Sequence, residues 1–142
     1  MIVCAALLGC GAPAASSDPS QPITPIQAIL AAASAAPNVV KGVFVLEVRA
    51  TGRQDGNIYL NSELDYRDQR NLTIAIFPDA APELRRKFSN DVDVALKGKR
   101  IRVSGVAQRV KIGFFENGEF TGKYYYQTHV DVTAANQIEV LP

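Results

Sequence analysis

The sequence predicts an all-β domain. Its expected form is a strongly coiled barrel of five strands, with one short helix between strands three and four and another ahead of the barrel. Three observations predict it. From Val39 onward the apolar residues recur with a period of two in every long segment but one. The segments follow the order strand, strand, strand, helix, strand, strand. Gly42 and Gly105 fall inside two long strand candidates, where a coiled strand can bend. A small open antiparallel sheet packed by one helix would use the same segments and differ only in closure.

The composition agrees with a folded domain. The chain has 142 residues, 47% hydrophobic and 20% charged, enough for one domain with its own core. A net charge of +1 sets no strong global field, so any attraction for a polyanion must be local.

Residues 1–10 read MIVCAALLGC. The apolar run is too short to span a bilayer and reads as the end of an export signal without its leading positive residues. Leu7-Leu8-Gly9-Cys10 resembles the lipobox of bacterial lipoproteins. That resemblance implies that Cys10 carries lipid and that Cys4 leaves with the signal. No thiol then remains in the folded part, and neither a disulfide nor a cysteine-ligated metal is expected. The expected location is the periplasmic face of a bacterial membrane, or the periplasm, with the lipid anchor as the only membrane contact. An unprocessed tail on a cytoplasmic protein is the alternative.

Residues 11–22, rich in Ala, Ser and Pro, form a tether. Residues 23–37 form a short helix with Thr24 as cap, Pro25 in the first turn, Ile26, Ile29 and Leu30 on one side, and Pro37 as the stop. It is expected to cover one end of the domain, which occupies 38–142. There the first strand runs over 39–51, and the polar stretch 51–57 makes a turn. Strands at 58–66 and 71–77 follow. Asp79 then caps a helix at 81–88, with Leu84 and Phe88 on one face. The fourth strand covers 99–112, Asn117-Gly118 turns a hairpin, the fifth strand covers 123–133, and 137–141 is a short final strand.

Lys41-Gly42-Val43 in the first strand, Gly98 before the fourth, and the run GKRIRVSGV over 98–106 resemble the oligonucleotide- and oligosaccharide-binding (OB) superfamily, in particular its bacterial exported members. The resemblance covers about residues 40–141. It implies a closed or nearly closed barrel of Greek-key topology. It also implies ligands lying across the second and third strands, flanked by the first–second and fourth–fifth loops.

Candidate binding residues follow from charge and ring patterns. Lys97, Lys99, Arg100, Arg102, Arg109 and Lys111 put six basic residues and no acid into 97–111. Such a strip suits phosphates, although the solvated face of a strand is the simpler explanation. Arg67 and Arg70 share the turn 62–70 with Glu63, Asp65 and Asp68, where local salt bridges are the simplest expectation. Those carboxylates are also what a divalent-metal phosphodiesterase would need, the remotest reading. Tyr59 and Tyr66 are the preferred surface rings. Phe114, Phe115, Phe120, Tyr124, Tyr125 and Tyr126 are expected to pack in the core and rim, with Tyr124 and Tyr126 on one side of their strand and Tyr125 on the other. His129 and Asp131, two apart, are expected to form a polar pair.

No nucleophile elbow, zinc-protease motif or phosphate loop is present. The expectation is a non-enzymatic binding or assembly module of the cell envelope, without cofactor or metal, whose partner is an envelope protein or a small ligand. The alternative is a single-stranded nucleic-acid binder that uses the basic fourth strand.

Overall fold

The computed structural model describes residues 21–142. The signal, most of the tether, Cys4 and the expected lipidation at Cys10 lie outside the described residues. Helix α1 (Pro25–Ala35) precedes strands β1 (Val40–Glu47), β2 (Ala50–Gln54), β3 (Asn57–Asn61) and β4 (Leu72–Ile76). Helices α2 (Ala81–Phe88) and α3 (Val92–Leu96) follow, then β5 (Arg100–Glu116), β6 (Glu119–Val132), one 3-10 turn and β7 (Ile138–Val140).

The strands form a single sheet in the order β1-β5-β6-β4-β3-β2, with β7 also on β5. All pairs are antiparallel except β4 with β6, which run parallel. The two ends of this path are consecutive in the chain, separated only by Val48 and Arg49. There the backbone changes partners. The Val48 N–H donates to the Lys99 carbonyl at 2.9 Å, and the Arg49 N–H donates to the Asn61 carbonyl at 2.9 Å. One run of chain therefore pairs with β5 on one side of the break and with β3 on the other, which wraps the sheet into a barrel-like form.

Three expectations need correction. There are seven strands where a five-stranded barrel was expected: the first splits where it changes partner, and the short final strand expected at 137–141 is present over 138–140, paired on β5. There are two helices between β4 and β5, not one. The second is too short for a readable period, yet Val92 and Leu96, four apart, are both buried. The stretch 51–57 is mostly strand, and its turn is Asp55-Gly56, both at positive φ. An Asp-Gly pair between strands is a strong hairpin signal, so this turn is encoded locally.

The core lies inside the barrel. Alternate residues of the strands face inward: Phe44 and Leu46, Leu60, Leu72, Ile74 and Ile76, Ile101 and Val103, and Val130 and Val132, all at most 3% exposed. Leu84 of α2 and Leu96 of α3 join them, both fully buried. Helix α1 packs on the barrel through Ala28 and Ala32, while Ile26 and Leu30 face solvent. The expected apolar side is thus the outer one. Small residues let the helix lie close, and the same closeness shows at Gly42. A Cβ there would sit 2.5 Å from Ile23 Cδ1.

β5 and β6 outrun the barrel. β5 pairs with β1 only as far as Ala107, and β6 meets β4 only from Thr128. Residues 110–116 and 119–127 pair only with each other, as a two-stranded arm turned at Asn117-Gly118, where both φ angles are positive.

Candidate functional site

The pleat that turns Leu60, Ile74 and Val130 inward turns Tyr59, Thr73 and His129 outward, so these share the outer face of β3, β4 and β6. On that face lies an open groove of about 580 Å³. Its floor is Tyr59, Asn61, Thr73 and His129. One wall is β2, from Ala50 to Gln54. The other is the root of the arm, with Ile112, Phe114, Tyr125 and Gln127. Leu64, Tyr66 and Arg67 of the loop after β3 border one side.

The loop is held by a buried polar network. The Asn71 amide nitrogen donates to Asn61 Oδ1 at 3.1 Å, Thr73 Oγ1 at 2.9 Å and the Tyr66 carbonyl at 3.3 Å, and Asn71 Oδ1 accepts from the Glu63 N–H at 3.0 Å. Thr73 Oγ1 in turn donates to Asn61 Oδ1 at 2.9 Å. Three side chains of the floor and loop thus fix one another, which positions Tyr66 and Arg67 over the groove.

The groove is electrically balanced. Arg53 forks onto Asp93 of α3 at 2.9 and 2.5 Å, and Arg67 forks onto Asp65 at 3.2 and 3.5 Å. The Arg67 backbone and side chain hold the Asp65 carboxyl below its usual range. Burial lowers the His129 pKa below 6.5 and keeps the ring neutral. The Gln127 amide donates to the Tyr125 hydroxyl at 2.7 Å. That orientation leaves its oxygen to accept from His129 Nε2 at 2.7 Å. Asp131 accepts instead from Gln108 Nε2 at 2.8 Å, and burial raises its pKa. The expected His129–Asp131 pair is not formed, because each is taken by an amide nearer to it.

The groove gathers three of the ten candidate residues: Tyr59, Tyr66 and Arg67. Arg70 pairs with Asp68 at 2.8 Å away from the groove, and its side chain holds the Asp68 carboxyl at about 2. Lys97 and Lys99 are exposed around the start of β5. Arg100 borders a second hollow of about 600 Å³, which carries both signs of charge and no aromatic ring. Arg102 pairs with Glu139 of β7 at 3.3 Å.

The basic strip is not one surface. Arg102 and Arg109 are an odd number of residues apart on a regularly paired strand, so Arg100 and Arg102 face one way and Arg109 and Lys111 the other. Nor are the hairpin rings core. Phe114, Phe115, Phe120, Tyr124 and Tyr126 are all exposed, because the arm has no second layer to pack on. Tyr124 and Tyr126 do share a face, with centroids 5.6 Å apart, and half-buried Tyr125 takes the other, as alternation predicts. Phe114 and Tyr125, expected to be packing residues, line the groove instead. Arg53 and Gln127 also belong to the groove, although nothing in their local sequence singles them out.

No family model matches this chain, and no curated protein matches it. Among solved structures, an aspartyl tRNA synthetase from Entamoeba histolytica is similar over 81% of this chain, at 11% sequence identity and a TM-score of 0.44. This chain spans 20% of that one.

Proposed function

We propose that this chain is a non-enzymatic ligand-binding module of OB architecture, held at the bacterial cell envelope through Cys10. Support for the OB reading comes from β4 and β6 running parallel within an otherwise antiparallel sheet, and from a first strand shared between two neighbours. The envelope reading rests on the Leu-Gly-Cys run and the polar tether. Intact mass and membrane fractionation of the chain made in a bacterial host test it. An unmodified soluble chain starting at Met1 would refute it.

The observation that carries binding is the groove, where Tyr59, Tyr66, Phe114 and Tyr125 surround amide and hydroxyl groups and both arginines are already neutralised. Such a surface suits an uncharged ligand with flat faces and hydrogen-bonding edges. His129 and Asp131 are each engaged by an amide rather than poised for proton transfer, which supports a non-enzymatic role. The test is a panel of uncharged oligosaccharides and peptides followed by NMR shifts of Tyr59, Gln127 and His129. Binding should map to these residues and be lost in Tyr59→Ala. Shifts that map elsewhere, or that survive this change, would refute the reading.

The second reading is a single strand of nucleic acid stacked on the same rings. It requires Arg53 and Arg67 to exchange carboxylates for phosphates. Affinity should then fall steeply with salt and weaken in Arg67→Ala, while Arg100→Ala and Arg102→Ala leave it unchanged.

A further inference from the structure

β2 lies at one end of the sheet path and pairs only with β3. Among the described residues, none of Ala50–Gln54 makes a backbone hydrogen bond outside that pairing. Its far edge is therefore open, and the groove runs along it. A strand that offered only a face would line a cavity with every second residue. β2 contributes five in succession: Ala50, Thr51, Gly52, Arg53 and Gln54. The turn decides which groups this edge presents. Asp55-Gly56 is a two-residue turn, so the flanking pair Gln54–Asn57 exchanges both backbone hydrogen bonds. Bonded and unbonded pairs alternate along an antiparallel ladder. Gly52–Tyr59 is then bonded, while Thr51 and Arg53 turn their N–H and C=O groups away from β3. Those two residues are about 7 Å apart, the repeat at which another strand supplies matching groups.

The outer face of β2 is bare where an added strand would place side chains. Gly52 stands beside Tyr59 in register, and Ala50 beside Asn61. A Cβ on Gly52 would meet nothing within 4 Å, so the groove is open on the glycine's side of Tyr59. A side chain opposite Gly52 reaches across the glycine to the Tyr59 ring. The next on that face, two residues along, lies over Ala50. The margin carries no free charge. Arg53 is forked onto Asp93, and Arg49, just before β2, pairs with Glu63 at 2.8 Å. The chain that complements this margin is therefore uncharged over the stretch that pairs.

We propose that the groove takes an extended, uncharged peptide segment of a partner protein, which adds as a strand to the free edge of β2. This rests on the reading of the groove as a site for an uncharged ligand, and names that ligand's class and its mode of attachment. Main-chain pairing with Thr51 and Arg53 supplies affinity, and the small residues Ala50 and Gly52 select bulky side chains at alternate positions. The probe is the capped peptide acetyl-Thr-Tyr-Thr-Tyr-Thr-amide, titrated into the full chain and followed by NMR and amide exchange. Binding should shift Tyr59 and slow exchange of the Thr51 and Arg53 amides. The Gly52 amide, already bonded to β3, should change little. N-methylation then separates strand pairing from ring stacking, because only every second peptide N–H faces β2. The nitrogens of the two tyrosines are methylated in one peptide, and those of the two threonines that follow them in another. One of these should bind about 25-fold more weakly, at roughly fivefold for each lost bond, and the other as the parent peptide does. Gly52→Val, which has room for its side chain, should also weaken binding by filling the approach to Tyr59. The proposal is overturned if the peptide does not bind, if the two methylated peptides bind alike, or if Gly52→Val binds as the parent does. Shifts at Gln127 and His129 with free exchange at Thr51 and Arg53 would overturn strand pairing and leave the groove reading standing. An uncharged oligosaccharide that shifts Tyr59 where the peptide fails would do the same, whereas no shift with either would overturn both.

Discussion

Asn71→Ala tests the buried network that presents the groove loop. Asn71 is 3% exposed; its amide nitrogen shares two hydrogens among Asn61, Thr73 and the Tyr66 carbonyl, and its oxygen accepts from the Glu63 N–H and the Ser62 hydroxyl, four bonds in all. At about 1 kcal/mol net for each bond, the loss approaches 4 kcal/mol. Thr73 still satisfies Asn61 Oδ1 in the variant, which brings the expected loss to about 3 kcal/mol. For a domain of this size that lowers Tm by roughly 10 °C. With a urea m-value of about 2 kcal/mol/M, the midpoint should fall by about 1.5 M at unchanged m. Hydrogen exchange localises the effect: the Glu63 amide should lose protection selectively, while amides of β4 such as Ile74 follow only the global change. A loss below about 1 kcal/mol, with Glu63 still protected, would refute the reasoning, because water would then serve the network as well as the amide does.

Two further outcomes are expected. Leu84→Ala removes a fully buried side chain and should cost about 2–5 kcal/mol in urea unfolding; a cost under about 1 kcal/mol would mean that α2 does not seal the core. The folded His129 has a pKa below its ordinary 6.5, so its contribution to stability is fully present above that value and is lost as pH falls below it; His129→Gln should flatten this acid-side slope in urea midpoints taken across the range, and an unchanged slope would show that the ring titrates freely.

The strand segments were legible because burial in a barrel is one-sided and imposes a period of two, and α2 was legible from the spacing of Leu84 and Phe88. The break at Val48–Arg49 was not. A partner change alters no side-chain period, because the inward parity carries from Phe44 through Leu46 to Val48, and all three are buried. The exposure of the hairpin rings was hidden for a related reason. Alternation correctly divides Tyr124 and Tyr126 from Tyr125, but it cannot tell which face has a layer beneath it, and the arm has none. For the basic strip, parity along the strand is enough to separate Arg102 from Arg109, whereas charge density by itself suggests one surface. The balance of the groove depended on Arg53 meeting Asp93, forty positions away, a contact that no local pattern encodes.

Ile23 does more than fill the space left by Gly42. Its N–H donates to the Val43 carbonyl at 2.7 Å and its carbonyl accepts from the Val45 N–H at 3.0 Å, as a parallel bridge along the side of β1 away from β5. A strand margin left bare is a template on which a second chain can add. One residue before α1 therefore acts as a guard against polymerisation. Trimming the chain up to Pro22 leaves the guard in place, whereas removing Ile23 exposes the margin of β1 and favours strand exchange between molecules.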